Sequence, residues 1–233
     1  MGYRVPVVTL LGVLSGCFIG VDGNGHRVTE SRRVREVSRV ENNSSLDVDI
    51  SQGDAFEVRV RIDSNLQRVV DVWVSDDTLQ IDTDTWLADP SSGPHVLITM
   101  PRIERLEQRG SGDMFAAWFE QEDDVALRLA GSGDMRFEGS VPRIRADLHG
   151  SGDIQLSGST EFAELTVQGS GDLDASDLVA AGADLTVEGS GDLRARVDGQ
   201  VDARVKGSGD VDISGDVERG NFSEHGSGHI QVH

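Results

Sequence analysis

Six aspartates stand at near-constant intervals in the second half of this chain: Asp113, Asp134, Asp153, Asp172, Asp192 and Asp210. Each closes the tetrapeptide Gly-Ser-Gly-Asp, whose first glycine is Gly110, Gly131, Gly150, Gly169, Gly189 or Gly207; a seventh copy, from Gly226, ends on His229. Carboxylates repeated in this way have two chemistries open to them. They can accept hydrogen bonds from turn amides, or they can hold a hard cation such as calcium, which takes several oxygen ligands. Stacked one rung apart, each neighbouring pair would repel by roughly 0.9 kcal/mol even at the dielectric constant of water, so something must offset the charge. Capping by the glycine and serine amides of each corner is the expectation, with calcium as the alternative. Calcium-binding β-roll repeats also pair glycine with aspartate, but in the form G-G-x-G-x-D with half the period found here.

Two further groups could do chemistry. Phe115, Trp118 and Phe119 lie in the first and longest repeat, ahead of "EQEDD". Aromatic side chains on an exposed flank can stack on sugar rings; the competing and preferred expectation is that they plug or widen the first rung. Trp73 and Trp86, further upstream, are expected in the core or at corners. His225, His229 and His233 close the chain. Histidines at this density can bind zinc or nickel, but on an extended strand His229 and His233 stand about 13 Å apart, so a solvated last rung is the expectation and no metal site is assigned. No Ser-His-Asp, HExxH, P-loop or cysteine-based signature is present. The aspartates recur evenly rather than converging as the acids of a glycosidase do. No catalytic residue and no cofactor is assigned, and a polysaccharide-active enzyme is kept as the alternative.

The elements that must carry these residues follow from the repeat. The spacings between first glycines are 21, 19, 19, 20, 18 and 19 residues. A period near 20 marks units that cannot bury their own apolar face and must stack on neighbours. Aligned on the first glycine, apolar residues recur four and two positions before it (Leu165 and Val167, for example) and four and six positions after it (Leu173 and Ala175), with polar residues between them. That alternation is a strand, a tight corner and a second strand. Equivalent strands stacked in parallel make an all-β fold, a parallel β-helix of GSGD-cornered repeats of about 19–20 residues, right-handed by the crossover rule. Gln108 and Glu224 interrupt the apolar column two positions before the glycine, and are read as marking its two ends.

Upstream, "LDVDIS", "FEVRVRI", "VVDVWVS" and "TLQIDT" also alternate, so residues 34–109 are read as a β-strand region supplying the first rungs of the same domain as 110–233. Residues 17–33 read as a flexible tether. Residues 1–16 resemble a bacterial lipoprotein signal: Arg4, an apolar run from Val5 to Leu14, then Leu14-Ser15-Gly16-Cys17. That resemblance implies that Cys17, the one cysteine, becomes the lipidated mature N-terminus. Phe18, where an inner-membrane retention signal has aspartate, implies the outer membrane in a Gram-negative cell. A formal net charge of −20 repels nucleic acid and anionic lipid, so the partners expected are the membrane through the lipid, and an envelope polysaccharide or protein.

The GSGD corners, the strands around them and the leader "TMPRIERLEQRGSGD" together resemble the bacterial envelope family described as putative auto-transporter adhesin, head GIN domain. The resemblance spans about residues 34–233. It implies a β-helical fold outside the cytoplasm and a non-catalytic binding or structural role, and it supplies no catalytic residues.

Overall fold

The protein is described by a computed structural model covering residues 20–84, 87–89, 93 and 95–233. The expected signal peptide, Cys17 and Trp86 lie outside the described residues.

The chain winds into a β-solenoid of stacked parallel coils. Four long strands, Met135–Leu148, Ile154–Val167, Leu173–Val187 and Leu193–Gly207, each make most of one coil and pair in parallel with the next. The register puts like residue on like: Met114, Met135, Ile154, Leu173, Leu193, Val211 and Ile230 pair in succession. On the other side of the corner Leu127, Ala146, Leu165, Leu185, Ala203 and Phe222 do the same. These apolar columns face inward and form one continuous core, in which Leu165 and Leu185 are each 1% exposed. Buried aliphatic columns of this kind supply the main driving force, about 1.5–3 kcal/mol per fully buried side chain.

The strands between Arg39 and Gln108 join the stack out of chain order. Asp47–Gln52 lies between two parallel neighbours, Met114–Glu120 on one side and His95–Met100 on the other. Arg39–Asn42 is likewise held between Arg105–Gln108 and Thr78–Thr83. The chain therefore lays down an inner coil first, crosses to add an outer one, and returns to the opposite side to begin the repeats. Antiparallel strands cover the outer end. Glu57–Asp63 pairs with both His95–Met100 and Arg27–Arg32, and Val70–Ser75 forms a hairpin with Thr78–Thr83. Antiparallel pairing there breaks the parallel register that would otherwise template further coils.

Three expectations are corrected. The stretch read as a flexible tether is structured from Val21: Val21–Asp22 pairs with Leu87–Asp89, and Arg27–Arg32 is a full strand of the cap. Its polar residues mislead because an edge strand with one wet face needs few apolar side chains. Gln108 does not mark an end of the core. It is fully buried, with the Arg39–Asn42 coil stacked beyond it. Its Nε2 donates to the Gly112 carbonyl at 2.5 Å, so a buried amide serves the corner where later coils place Leu129 or Leu148. Trp73, on the outer hairpin, is 42% exposed rather than part of the core.

Candidate functional site

The corner explains its own composition. A Cβ on either glycine would strike the coil beneath: one on Gly171 would lie 2.0 Å from the Gly152 carbonyl oxygen, and one on Gly169 would lie 2.1 Å from that of Gly150. Close stacking, rather than a left-handed backbone, demands glycine at most copies; of the first glycines, Gly207 and Gly226 have φ of 148° and 126°.

The six aspartates form a single ladder. The N–H of Asp134 donates to Asp113 Oδ1 at 2.8 Å, and those of Asp153, Asp172, Asp192 and Asp210 each donate to Oδ1 of the preceding aspartate at 2.8–2.9 Å. The carboxylates thus serve the aspartate amide one coil on, not the glycine and serine amides of their own corner. The ladder runs past the visible repeat at both ends. Asp47 Oδ1 accepts from the Asp113 N–H at 3.0 Å, and Asp210 Oδ1 accepts from the His229 N–H at 2.7 Å. Ser44 to Asp47 is therefore a further corner, which the absence of glycine conceals. Its only sequence signal is Ser-x-Leu-Asp followed by the same apolar–polar alternation.

A groove of about 490 Å³ runs beside this ladder, lined by Asp113, Asp134, Asp153 and Asp172 on one wall and by Phe115, Arg136, Gln155, Asp174 and Arg194 on the other. Phe115 is half-buried in it with the Arg136 guanidinium 5.5 Å from its ring centroid, a cation–π contact. Among the described residues no group of three or more His, Cys, Asp or Glu is arranged to hold a metal ion.

The three aromatics of the first repeat part company. Phe119 is fully buried and stacks on Phe137, centroids 6.5 Å apart, so it packs in the core and cannot meet a ligand. Phe115 lines the ladder groove. Trp118 is 78% exposed. The register of Met114–Glu120 slips between Ala116 and Phe119, and this bulge turns Trp118 out with φ at 61°. Two glutamine side chains hold the bulge by imitating a strand. Gln52 Oε1 accepts from the Glu120 N–H at 3.0 Å while its Nε2 donates to the Glu120 carbonyl at 2.9 Å. Gln121 makes the same reciprocal pair with the Ile103 backbone, at 2.9 and 2.7 Å. Little in the local sequence marks the bulge, because one clamp, Gln52, comes from far away in the chain and the other, Gln121, is local but needs the remote Ile103 backbone as its partner.

Comparisons with known proteins agree with this architecture. The model of the family described as "Putative auto-transporter adhesin, head GIN domain" matches residues 37–217. A crystal structure of a putative adhesin from Bacteroides fragilis superposes with a TM-score of 0.81 at 20% identity, covering 92% of this chain and 100% of that one. A putative lipid binding protein from Parabacteroides distasonis gives 0.73 at 23% identity, over 91% and 99%. A putative adhesin from Parabacteroides merdae gives 0.68 at 17% identity, over 91% and 98%. At these identities the likeness establishes the fold. No curated protein matches the chain.

Proposed function

Since this chain belongs to the putative auto-transporter adhesin, head GIN domain family, we propose that it is a non-catalytic binding protein of the bacterial cell surface, exported and anchored through lipid on Cys17. The observation that carries the non-catalytic reading is the uniformity of the acid ladder. Glycoside cleavage needs two carboxyl groups whose environments push them into different roles. Here each ladder aspartate, from Asp47 through Asp113 to Asp210, spends an oxygen on the same kind of amide one coil on. None is set apart from its neighbours, so the acids act as scaffold.

The lipid anchor rests on Leu14 to Cys17. The first described strand starts at Val21, four residues beyond Cys17, and a chain that short spans at most about 14 Å. The antiparallel cap would therefore stand against the membrane, with the coils stacked away from it. Several acyl chains on one cysteine give the durable attachment that one alone does not.

Metabolic labelling with a fatty acid, followed by fractionation and protease shaving of intact cells, tests this reading. Label on the wild type, loss of label and of membrane recovery in Cys17→Ser, and cleavage by external protease are the expected results. An unlabelled wild type with unchanged membrane recovery would remove the lipid anchor; full protection from protease in intact cells would remove the surface-facing role.

A further inference from the structure

We propose that Trp118 and the shallow groove beside it form a binding site for a neutral sugar ring of a polysaccharide. This rests on the reading of the chain as a surface binding protein and adds the class of ligand. The groove is about 360 Å³, at the lower end of the roughly 300–1,000 Å³ of small-molecule sites, which suits one or two rings of a longer chain.

The parts of the groove match the two faces of a sugar. Trp118 supplies an exposed aromatic plane, against which the C–H face of a pyranose can lie. The floor is bare backbone. Gly139 and Gly158 contribute no side chain to it, and the stacking of the coils requires glycine there: a Cβ on Gly139 would lie 2.2 Å from the Phe119 carbonyl oxygen, and one on Gly158, whose φ is 118°, would lie 1.9 Å from that of Gly139. Hydroxyl groups from Ser140, Ser157 and Ser159 border this floor, with Ser140 Oγ and Ser159 Oγ 2.9 Å apart. Glu120 and Glu138 close the groove. Glu138 is held at 2.9 Å by Arg136, leaving it a fixed acceptor for a sugar hydroxyl.

Trp118 also occupies a conformation its side chain disfavours. The left-handed region is costly for any residue with a Cβ and suits glycine. A large aromatic kept there, exposed, and pinned by the Gln52 and Gln121 clamps, is an outlier of the kind found at ligand sites. A bilayer fits this surface poorly: inserting Trp118 would take the hydroxyls of Ser140, Ser157 and Ser159 and the carboxylates of Glu120 and Glu138 out of water. The net charge of −20 and the two glutamates at the groove disfavour anionic polysaccharides.

The purified full chain, in a detergent without a sugar headgroup, is titrated with cellohexaose, maltohexaose and chitohexaose, with hexagalacturonate as the anionic comparator and phosphatidylcholine vesicles as the lipid one. Tryptophan fluorescence and calorimetry read binding. At least one neutral hexasaccharide is expected to bind saturably, with hexagalacturonate and vesicles inactive. Trp118→Ala is expected to weaken that binding by about tenfold or more, and Trp118→Phe to keep part of it. Trp118→Gly is expected to lose binding while its melting temperature holds or rises, since glycine accepts the backbone conformation; this separates lost binding from lost folding. The site assignment is overturned if no neutral hexasaccharide binds, if Trp118→Ala and Trp118→Gly bind like the wild type, or if vesicles and not sugars move the fluorescence. Fatty-acid label and protease accessibility on the same cells report the surface role separately, so absence of sugar binding in a labelled, surface-exposed protein sinks this site alone.

Discussion

The corner at Gly169–Asp172 and the corner at Ser44–Asp47 sit in the same ladder, yet they are built differently. The first has two glycines beneath which the previous coil passes within a Cβ's reach, and an apolar Val167 stands behind it, fully buried. The second has no glycine, and behind it stands Asn42, also fully buried. Asn42 Nδ2 donates to the Leu46 carbonyl at 2.8 Å, and its Oδ1 accepts from the Ser44 N–H at 3.1 Å and the Ser44 hydroxyl at 2.7 Å. Ser44 Oγ in turn accepts from the Leu46 N–H at 3.1 Å. Where like coils stack, the corner is held by its fit to an identical corner below. Where the stack changes partners, a buried amide holds it from within. At the far end an exposed carboxylate takes this part: Glu224 Oε1 accepts from the Ile230 N–H at 2.7 Å. Repetition therefore stabilises the interior coils, and local polar networks stabilise those whose neighbours differ.

This contrast can be broken most severely at the glycine. Gly171→Ala forces a methyl group against a backbone carbonyl that cannot rotate away, and should cost at least about 3 kcal/mol. Gly25→Ala, in the cap, meets nothing within 4 Å and has φ of 72°; it should cost only about 1 kcal/mol from backbone conformation. Chemical denaturation of both variants measures the gap, and equal costs would refute the stacking account of the repeat.

The same column position should be intolerant for different reasons in the two regions. Leu148→Ala, in the repeats, removes a fully buried side chain and should cost about 2–5 kcal/mol. Asn42→Leu restores what the repeats carry there, yet it strands the Leu46 carbonyl and the Ser44 amide and hydroxyl. It should cost about 2–4 kcal/mol. A neutral or stabilising Asn42→Leu would show that the amide network is dispensable.

The ladder itself should be tolerant. Asp172→Asn keeps an acceptor for the Asp192 amide and relieves repulsion from Asp153 and Asp192, so thermal melting should find it nearly neutral. Asp172→Ala leaves that amide without its acceptor and should cost about 0.5–1.5 kcal/mol. If calcium were the purpose of the ladder, millimolar calcium would raise the melting temperature of the wild type beyond a sodium control of equal ionic strength, and Asp172→Asn would lose that rise. The hydrogen-bonded ladder predicts no such difference.

The smallest expected effect lies in the cap and depends on pH. Asp71 faces Asp82 across the outer hairpin. Partial desolvation, then Asp84 and Asp82, raise its carboxyl above the ordinary value, against a weaker pull from Arg32. The folded state therefore holds that proton more tightly than the unfolded one, and stability declines as pH rises from the ordinary carboxylate value through the raised one. Asp71→Asn should raise stability at neutral pH by less than about 1 kcal/mol, given how well solvent screens the group, and change nothing below the ordinary value. Glu104 has the opposite sign. The Arg39 hydrogen bond lowers its pKa, so its contribution is present at neutral pH and lost as pH falls through the lowered value. Melting curves of Asp71→Asn and Glu104→Gln across the acid range should diverge in these directions.

The repeats were legible because one physical demand recurs at a fixed interval. Each coil must turn where the previous one turned, only glycine fits beneath the neighbouring carbonyl, and each strand alternates between core and water. That demand alone determined the solenoid, its period and the inward columns such as Leu165 and Leu185. It could not reveal the order in which residues 34–109 join the stack, because alternation is the same in a parallel coil and an antiparallel cap. It could not show which amide each carboxylate meets, since that partner lies about 19 residues on and is chosen by register. Trp118 is the sharpest case. Composition placed it among three aromatics, but only the slipped register, held by the distant amide of Gln52 and by Gln121 on the distant Ile103 backbone, turned it outward while Phe119 went into the core.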